Sequence, residues 1–193
     1  MGVEYEWKYR ADPQMQACIY QKTEGFWQEI AMETIYYDTE DGALSRLGCT
    51  LRRRMENEKS ICTLKTPAAD GGRGEWEVEA DAIELAAEKL CKLGAPKKLL
   101  ALTAGGIQPI CGAKFLRRAC SINIGTAVVE LALDAGVLTG GGKEIPLCEI
   151  EVELKGGSLE AAAAFAANLA HKYGLVPETK SKFRRALDLT KEK

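Results

Sequence analysis

The stretch Glu149-Ile-Glu151-Val-Glu153 alternates carboxylates with large apolar residues. A second stretch near the other end of the chain, Glu4-Tyr-Glu6-Trp-Lys8, shows the same alternation. Because a β-strand sends successive side chains to opposite faces, each stretch predicts a strand with one charged face and one apolar face. Clustered carboxylate oxygens are the ligands that hard divalent cations prefer. Both ends of the chain therefore predict a strand whose acidic face suits a divalent cation.

Composition and charge set the first limits on the protein class. The chain has 193 residues, 46% of them hydrophobic, which suffices for a buried core and predicts one domain over 1–193. The net charge of -2 creates no field that attracts nucleic acid or membrane, so neither partner is expected.

No run is apolar enough to cross a membrane, and the first residues are too polar for a secretory signal. Seven cysteines without CxxC pairing indicate reduced thiols, and a cytoplasmic location is expected.

Hydrophobic periodicity predicts more strands than helices. Alternating or β-branched runs predict strands at 3–10, 26–37, 49–55, 59–66, 74–80, 113–124, 126–134 and 146–155. Helical spacing and capping residues predict helices at 12–22, 42–47, 81–93, 96–104 and 158–173. The last segment, 178–190, is compatible with an extended or a helical conformation. The pattern therefore predicts an α+β fold dominated by an antiparallel sheet.

Charged residues collect on single faces of several predicted strands. Arg52 and Arg54 share one face, Glu130 and Asp134 share another, and the carboxylates of 149–153 share a third. An ordinary half-solvated sheet accounts for any one of these strands taken alone. Solvated faces usually mix signs, however, because like charges two residues apart repel one another. We therefore expect a closed antiparallel barrel with a polar lumen, whose apolar outer face is covered by helices.

The ligand of such a lumen follows from its two kinds of charge. Acidic oxygens on one wall suit Mg²⁺ or Mn²⁺. Arginine and lysine on other walls suit an anion with many oxygens, because a guanidinium group matches phosphate geometry with paired hydrogen bonds. A metal-chelated polyphosphate satisfies both walls. With His171 as the only histidine, a histidine-based zinc site or a Ser-His-Asp triad is excluded.

A series of short motifs follows the order found in one known family. The chain resembles the CYTH superfamily, the triphosphate tunnel metalloenzymes, whose opening signature is ExExK. Each motif is weak by itself, and their order over 4–185 carries the resemblance. The matching stretches are Glu4-Tyr-Glu6-Trp-Lys8, Tyr37-Asp38-Thr39 with Leu44 and Gly48, Thr50–Arg54, Thr63–Pro67, Arg73–Glu77, Phe115-Leu-Arg117, Glu130 with Asp134-Ala-Gly136, Glu149–Gly157 and Ser181–Arg185.

The resemblance implies a role for each charged position. It implies an eight-stranded antiparallel tunnel that binds a triphosphate together with Mg²⁺ or Mn²⁺. Residues implied to hold metal are Glu4, Glu6, Asp134, Glu149, Glu151 and Glu153. Residues implied to bind phosphate oxygens are Lys8, Arg52, Arg54, Lys65, Arg73, Arg117, Lys182 and Arg185. Lys8, Glu6 and Glu151 are the candidate catalytic residues, while Glu75 and Glu77 stay open between a second metal and a supporting position.

Several activities occur in the family, and the sequence favours one. The stretch 140–148 resembles the inorganic triphosphatase group more than the cyclase-like members. The leading hypothesis is therefore hydrolysis of inorganic triphosphate to diphosphate and phosphate. Alternatives that keep the site are a thiamine, RNA or nucleoside triphosphatase or an adenylate cyclase, with Tyr5, Phe26 or Trp27 recognising the organic part.

A non-enzymatic alternative is a polyphosphate- or nucleotide-binding module. The full acidic set argues against it, because binding an anion alone needs fewer carboxylates beside it. The expected partner is a triphosphate-containing small molecule, and a homodimer is an open expectation.

Overall fold

One antiparallel sheet dominates the protein. The computed structural model describes residues 5–67 and 73–191, and of Arg73 it describes only the backbone. The strands of the described part are β1 (Glu6–Arg10), β2 (Trp27–Asp38), β3 (Thr50–Glu56), β4 (Lys59–Pro67), β5 (Arg73–Glu79), β6 (Gln108–Ile124), β7 (Ala127–Gly140), β8 (Lys143–Gly157) and β9 (Val176–Pro177). The helices are α1 (Pro13–Lys22), α2 (Ala43–Arg46), α3 (Ala86–Lys92), α4 (Lys98–Thr103), α5 (Leu159–Tyr173) and α6 (Lys182–Leu189), with a 3₁₀ turn at Ile83–Leu85. The predicted α+β class with a large antiparallel sheet is confirmed.

The predicted closed eight-stranded barrel is wrong. The strand order is β5-β4-β3-β2-β6-β7-β8-β1-β9, nine strands across the described residues, and no pairing there joins the two ends. The terminal strand β9 is only two residues long, and its Pro177 has no backbone N–H to donate. The sheet therefore stays open at its edges instead of closing into a barrel.

The outer face of the sheet carries two apolar cores under helices. One core joins β3 and β4 to α3 and α4, with Leu51, Leu64, Leu90 and Leu99 among its buried residues. The other joins β1, β7 and β8 to α5 through buried Leu131, Ile150, Val152, Ala162 and Ala166. These are the apolar positions that alternate with the charged ones, so burial of the outer face fixes which side chains point inward.

The inner face is partly filled by the last helix. Phe115, Leu138 and Leu147 point inward from β6, β7 and β8 and pack with Met32 and Ala186 of α6. The segment that the sequence left open between extended and helical is thus a helix at one end of the concave face. Its N-terminus is capped by Ser181, whose side chain accepts a hydrogen bond from the Arg184 backbone N–H.

The helix boundaries follow local capping chemistry. Asp12 accepts a hydrogen bond from the Met15 backbone N–H and Pro13 occupies the first turn of α1, as the sequence predicts. Ser158 caps α5 in the same way, and Gly174 ends it in the left-handed conformation at φ 62°. Within the described part of the chain, no helix is long and apolar enough to cross a membrane.

Candidate functional site

Strand register aligns three glutamates in one cross-strand row. Glu153 of β8 lies opposite Glu6 of β1 on one side and opposite Glu130 of β7 on the other. Their side chains are 26%, 28% and 24% exposed for Glu6, Glu130 and Glu153. Two residue pairs along, on the same face, Lys8 lies opposite Glu151. Strands β1, β7 and β8 therefore form an acidic wall whose carboxylates reach solvent.

A second set of carboxylates lies deeper in the same sheet. Asp134 and Glu149 lie opposite each other on β7 and β8 and are fully buried, and Glu151 is nearly so. One oxygen from each of the three lies within 4.8 Å of the others. Lys182 Nζ lies 2.8 Å from Asp134 Oδ2 and 2.6 Å from Glu151 Oε1, and it also contacts Glu149 Oε1.

Two arginines complete this buried cluster. Arg117 donates from Nε to Asp134 Oδ1 at 2.8 Å and from Nη2 to Asp134 Oδ2 at 2.7 Å, and it also contacts Glu151. Arg185 Nη1 contacts Glu149 Oε2. We call Asp134, Glu149, Glu151, Arg117, Lys182 and Arg185 the buried ion cluster.

Burial and ion pairing shift the pKa values of this cluster in opposite directions. Burial raises the pKa of Glu149 above its ordinary value, and Lys182 only partly opposes this. Burial also raises the pKa of Glu151, but the positive charges of Lys182 and Arg117 outweigh this effect and hold the pKa well below its ordinary range. Burial lowers the pKa of Lys182, but the charges of its three carboxylate partners raise the pKa by more than burial lowers it. The ammonium group therefore stays charged.

A basic wall faces the carboxylates from β3 and β4. Arg52 and Arg54 point inward from β3, and Lys65 points inward from β4 with its Nζ 3.2 Å from Glu75 Oε1. Burial, followed by the charges of Arg52 and Arg117, lowers the pKa of Arg54 to about 10. Arg52 Nη2 lies 3.8 Å from Glu75 and 3.7 Å from Glu77, distances too long for good hydrogen bonds.

The guanidinium of Arg52 is also incompletely satisfied. Its Nε atom is buried, and nothing within residues 5–67 and 73–191 accepts a hydrogen bond from it. A buried donor without an acceptor is costly, and it is commonly satisfied by a ligand or water. This basic wall therefore has unused capacity for an anion.

Both walls enclose one cavity of about 560 Å³. Of the twenty described residues that line it, seven are lysine or arginine and seven are glutamate. The charged lining residues are Glu6, Lys8, Arg52, Arg54, Glu56, Lys65, Glu75, Glu77, Arg117, Glu130, Glu151, Glu153, Lys155 and Lys182. Strands from both halves of the open sheet contribute, so curvature alone brings the two walls together.

Most of the sequence-predicted site residues meet at this cavity. Those that line it are Glu6, Lys8, Arg52, Arg54, Lys65, Arg117, Glu151, Glu153 and Lys182, together with Glu75 and Glu77. Asp134, Glu149 and Arg185 belong to the buried ion cluster and do not line the cavity. Glu4 and the side chain of Arg73 lie outside the described residues. The individual roles assigned to these residues stay predictions.

Three further charged residues of the cavity, Glu56, Glu130 and Lys155, had no assigned role in the sequence. Glu130 stands in a recognised motif, but only the strand register places it beside Glu153. Lys155 continues the inward alternation of 149–153, and its Nζ lies 2.7 Å from Glu153 and 3.9 Å from Glu130. Extending the two-residue period past Glu153 would have found Lys155.

The aromatic residues considered for an organic substrate lie elsewhere. Phe26 is 85% exposed, and Tyr5 is also exposed. Trp27 packs with the core under α5 and contacts Tyr20 at 5.1 Å between ring centroids. None of the three lines the cavity.

The donor chemistry of the cavity fits a hard divalent cation. Glu6, Glu130, Glu151 and Glu153 offer carboxylate oxygens on one wall, which Mg²⁺ and Mn²⁺ prefer over nitrogen or sulfur donors. The row of Glu6, Glu153 and Glu130 also brings like charges together, and a bound cation would relieve that repulsion.

Comparison with known proteins agrees with this arrangement. An inorganic triphosphatase of Haemophilus influenzae is 28% identical over 160 residues, which are 82% of this chain and 46% of that relative. The chain thus spans about half the length of the curated relative it matches. The PH1819 protein of Pyrococcus horikoshii OT3 superposes with a TM-score of 0.63 at 21% identity, over 96% of this chain and 99% of that one.

A plant structure shows the same fold. HpAC1 of Hippeastrum, a candidate adenylyl cyclase described as having a dominant triphosphatase activity, superposes with a TM-score of 0.64 at 18% identity. That match covers 98% of this chain and 96% of the other. At such identities the two structures indicate the fold alone. The family model of the CYTH domain matches residues 2–187, nearly the whole chain, so this protein belongs to the CYTH domain family.

Proposed function

We propose that this protein hydrolyses inorganic triphosphate to diphosphate and phosphate in a metal-dependent reaction. The observation that carries the proposal is the single cavity in which an acidic wall from β1, β7 and β8 faces a basic wall from β3 and β4. Seven cationic and seven anionic side chains line it. A ligand that joins a divalent cation to a dense anion matches both walls. The triphosphatase relative supports the same substrate class.

The acidic wall would hold the metal ion, Mg²⁺ or Mn²⁺. Glu6, Glu151 and Glu153 are the predicted ligands that line the cavity, and Glu130 joins them in the same wall. Of the other ligands predicted from the sequence, Asp134 and Glu149 do not line the cavity, and Glu4 lies outside the described residues. When bound, the ion supplies positive charge that polarises the phosphate oxygens.

The basic wall would bind and orient the anion. Arg52, Arg54 and Lys65 line the cavity from this wall and Lys8 from β1, and the buried Arg52 Nε has no acceptor within the described residues. Guanidinium groups bind phosphate oxygens through paired hydrogen bonds, which fixes orientation as well as position. Arg73, Arg117, Lys182 and Arg185 are the other predicted phosphate-binding residues.

The chemical step is a displacement at the terminal phosphorus. A water oxygen bonds to the terminal phosphorus while the bond between that phosphorus and the bridging oxygen breaks. Diphosphate leaves, and the proton lost by the water passes to solvent. Negative charge grows on the leaving oxygen, and Lys8 and Arg52, which line the cavity, are the proposed groups that stabilise it. Glu6 and Glu151 are the proposed groups that orient the attacking water. The lowered pKa of Glu151 keeps this carboxylate ionised, and therefore able to accept a hydrogen bond from water, over the neutral pH range.

The cavity lining favours an inorganic substrate over a nucleotide or a thiamine compound. Tyr5, Phe26 and Trp27 do not line it. The aromatic residues that do, Tyr36 and Phe183, pack against each other with ring centroids 5.0 Å apart in the core under α6. Recognition of a base by stacking would need a ring free on one face.

A substrate panel tests the proposal. Phosphate release is measured from tripolyphosphate, ATP and thiamine triphosphate, each with Mg²⁺, with Mn²⁺ and with EDTA, and cyclic AMP is sought in the ATP reactions. We expect tripolyphosphate to be the best substrate, with equal yields of diphosphate and phosphate and no turnover in EDTA. Glu6→Ala and Glu151→Ala should abolish turnover.

Each rival function has its own signature in the same panel. Preference for an organic triphosphate would make the protein a thiamine or nucleoside triphosphatase, and cyclic AMP would make it a cyclase. Tight tripolyphosphate binding without turnover under every metal condition would indicate a binding module. Cytoplasmic location and homodimer formation stay predictions.

A further inference from the structure

A single ammonium group lies at the centre of the buried ion cluster. Lys182 Nζ lies 2.8 Å from Asp134 and 2.6 Å from Glu151, and it also contacts Glu149. The contact with Glu151 Oε1 is a hydrogen bond, and those with Asp134 Oδ2 and Glu149 Oε1 are ion pairs. The Phe115 ring, with its centroid 5.3 Å from Nζ, packs beside the same ammonium. Three carboxylates and one aromatic ring therefore surround the ammonium group.

The cluster is balanced in charge by the protein itself. Its three carboxylates meet three cations, because Arg117 pairs with Asp134 and Arg185 pairs with Glu149. A divalent ion among these oxygens would displace Lys182 or leave an excess positive charge in a fully buried site. Unbalanced buried charge is strongly unfavourable. The spacing of the oxygens fits a metal ion, but the charge balance does not.

We propose that Lys182 takes the place of a metal ion in this cluster and acts as a positioning residue for the cavity wall. Asp134 accepts hydrogen bonds from Nε and Nη2, one edge of the Arg117 guanidinium, and Lys182 contacts Asp134 and Glu151. Arg117 and Glu151 also line the cavity, so the cluster holds both of these lining side chains in position. Asp134 and Glu149 then act through Arg117 and Lys182 rather than as metal ligands.

A side chain of α1 also holds the backbone of the two strands that carry the buried carboxylates. Gln16 of α1 donates from Nε2 to the carbonyl oxygens of Asp134 and Glu149, both at 2.9 Å. Lys182 is the first residue of α6, directly after the cap Ser181. The ammonium therefore ties the start of α6 to the two strands that carry the carboxylates.

Manganese binding separates a positioning cluster from a metal site. Mn²⁺ is titrated calorimetrically into the full-length protein and its D134N, E149Q and E153Q variants. We expect D134N and E149Q to keep the wild-type stoichiometry and a dissociation constant within about threefold of it, while E153Q weakens binding by about tenfold or more. A tenfold or greater loss in D134N or E149Q would overturn the proposal.

A second measurement does not depend on whether the variants fold. Wild-type crystals soaked in Mn²⁺ are examined by anomalous scattering. We expect the Lys182 ammonium to remain between the three carboxylates, with no anomalous peak bonded to Asp134 or Glu149. A peak bonded to either carboxylate would contradict the assignment.

Kinetics test the positioning role itself, which rests on the proposed function. In K182M the ammonium is lost while the side-chain length is nearly kept, and in K182R a cation remains. We expect K182M to raise the KM for tripolyphosphate about tenfold while kcat changes less than about threefold, and K182R to restore part of the loss. A purely structural role would lower the amount of folded enzyme and leave KM unchanged, and that result would refute positioning.

Absence of any tripolyphosphate hydrolysis would contradict the proposed function. The Mn²⁺ results would still decide whether the cation in the buried ion cluster is Lys182 or a metal ion.

Discussion

Glu6 and Glu153 lie directly opposite each other on the antiparallel strands β1 and β8, with Glu130 on the far side of Glu153. Like charges directly opposite in a ladder are destabilising. Lys8 at 3.3 Å from Glu6 and Lys155 at 2.7 Å from Glu153 relieve part of this repulsion. A row that lowers stability in the absence of a ligand is consistent with a site that a cation completes.

Replacement of Glu153 by Gln should therefore have opposite effects with and without metal. In EDTA we expect the free energy of unfolding to stay the same or to rise by up to about 1 kcal/mol, because one of three facing charges is removed. Mn²⁺ should raise the melting temperature of the wild type but not that of E153Q. Both are measured by differential scanning calorimetry.

The matched control for this experiment is E29Q. Glu29 is also in an ion pair, with Arg118 at 2.7 Å, but this pair is more exposed and does not line the cavity. E29Q should keep the full Mn²⁺-induced rise. If Mn²⁺ raises the melting temperature of E153Q as much as that of the wild type, the row of Glu6, Glu153 and Glu130 does not bind the metal ion.

Arg52 should contribute to substrate binding more than an ordinary surface arginine. Its buried Nε lacks an acceptor in the described part of the chain, so a phosphate oxygen can supply one. A hydrogen bond to a charged group contributes about 1.5–3 kcal/mol, so R52M should lower kcat/KM for tripolyphosphate roughly 10- to 100-fold. Steady-state phosphate release measures the effect.

Arg118→Met is the control for Arg52→Met. Arg118 lies in β6, carries the same type of side chain in an ion pair and does not line the cavity. We expect its kcat/KM to stay within about twofold of the wild type. Equal losses in the two variants would mean that the Arg52 guanidinium has no special part in binding.

Local patterns in the sequence predicted the walls of the site well. The two-residue period of 149–153 and of the first strand placed their carboxylates on one face, because Ile150 and Val152 had to be buried under α5. The same reasoning put Arg52, Arg54 and Lys65 on inner faces. These side-chain directions were predictable because alternation is a local property of any β-strand, whatever its position in the sheet.

Features that depend on distant parts of the chain were not predictable in this way. Closure of the barrel depends on whether the two edge strands meet, and the short β9 with Pro177 leaves that edge open. The central position of Lys182 depends on where α6 crosses the sheet, which no local period specifies. Sequence reasoning therefore placed Lys182 among the cations of the site without identifying its three carboxylate partners.

The pH dependence of stability should differ between Glu149 and Glu151. A carboxyl whose folded pKa is lowered, as for Glu151, contributes stability above its unfolded pKa of about 4.3 and loses it as the pH falls through the folded value. For Glu149 the folded pKa is raised by burial, so its ionisation removes stability as the pH rises from about 4.3 through the folded value. Both effects are read without metal, in EDTA.

Urea unfolding of E151Q and E149Q measures these two effects. Between about pH 3.5 and pH 7, the loss of unfolding free energy relative to the wild type should grow for E151Q and shrink for E149Q. E29Q should stay within about 0.5 kcal/mol of the wild type throughout. Parallel trends in the two buried variants would contradict the opposite pKa shifts.

Gly136 should be intolerant of a side chain because the backbone of β6 passes very close to it. It stands opposite Phe115 in the β6–β7 ladder, and an added Cβ would lie 2.2 Å from the Lys114 carbonyl oxygen and 2.5 Å from the Phe115 Cα. Both are backbone atoms, so relief requires the ladder itself to move. We expect G136A to lower the unfolding free energy by about 1–3 kcal/mol.

The matched variant is G156A in β8, where an added Cβ would meet no atom within 4 Å. Its stability should stay within about 0.5 kcal/mol of the wild type. Because Phe115 packs beside Lys182 and Arg117, movement of β6 in G136A should also raise the KM for tripolyphosphate, whereas G156A should not. Thermal unfolding and steady-state kinetics on the same two proteins measure both effects. If G136A is as stable and as active as G156A, the close approach of β6 and β7 is not needed to position the cluster.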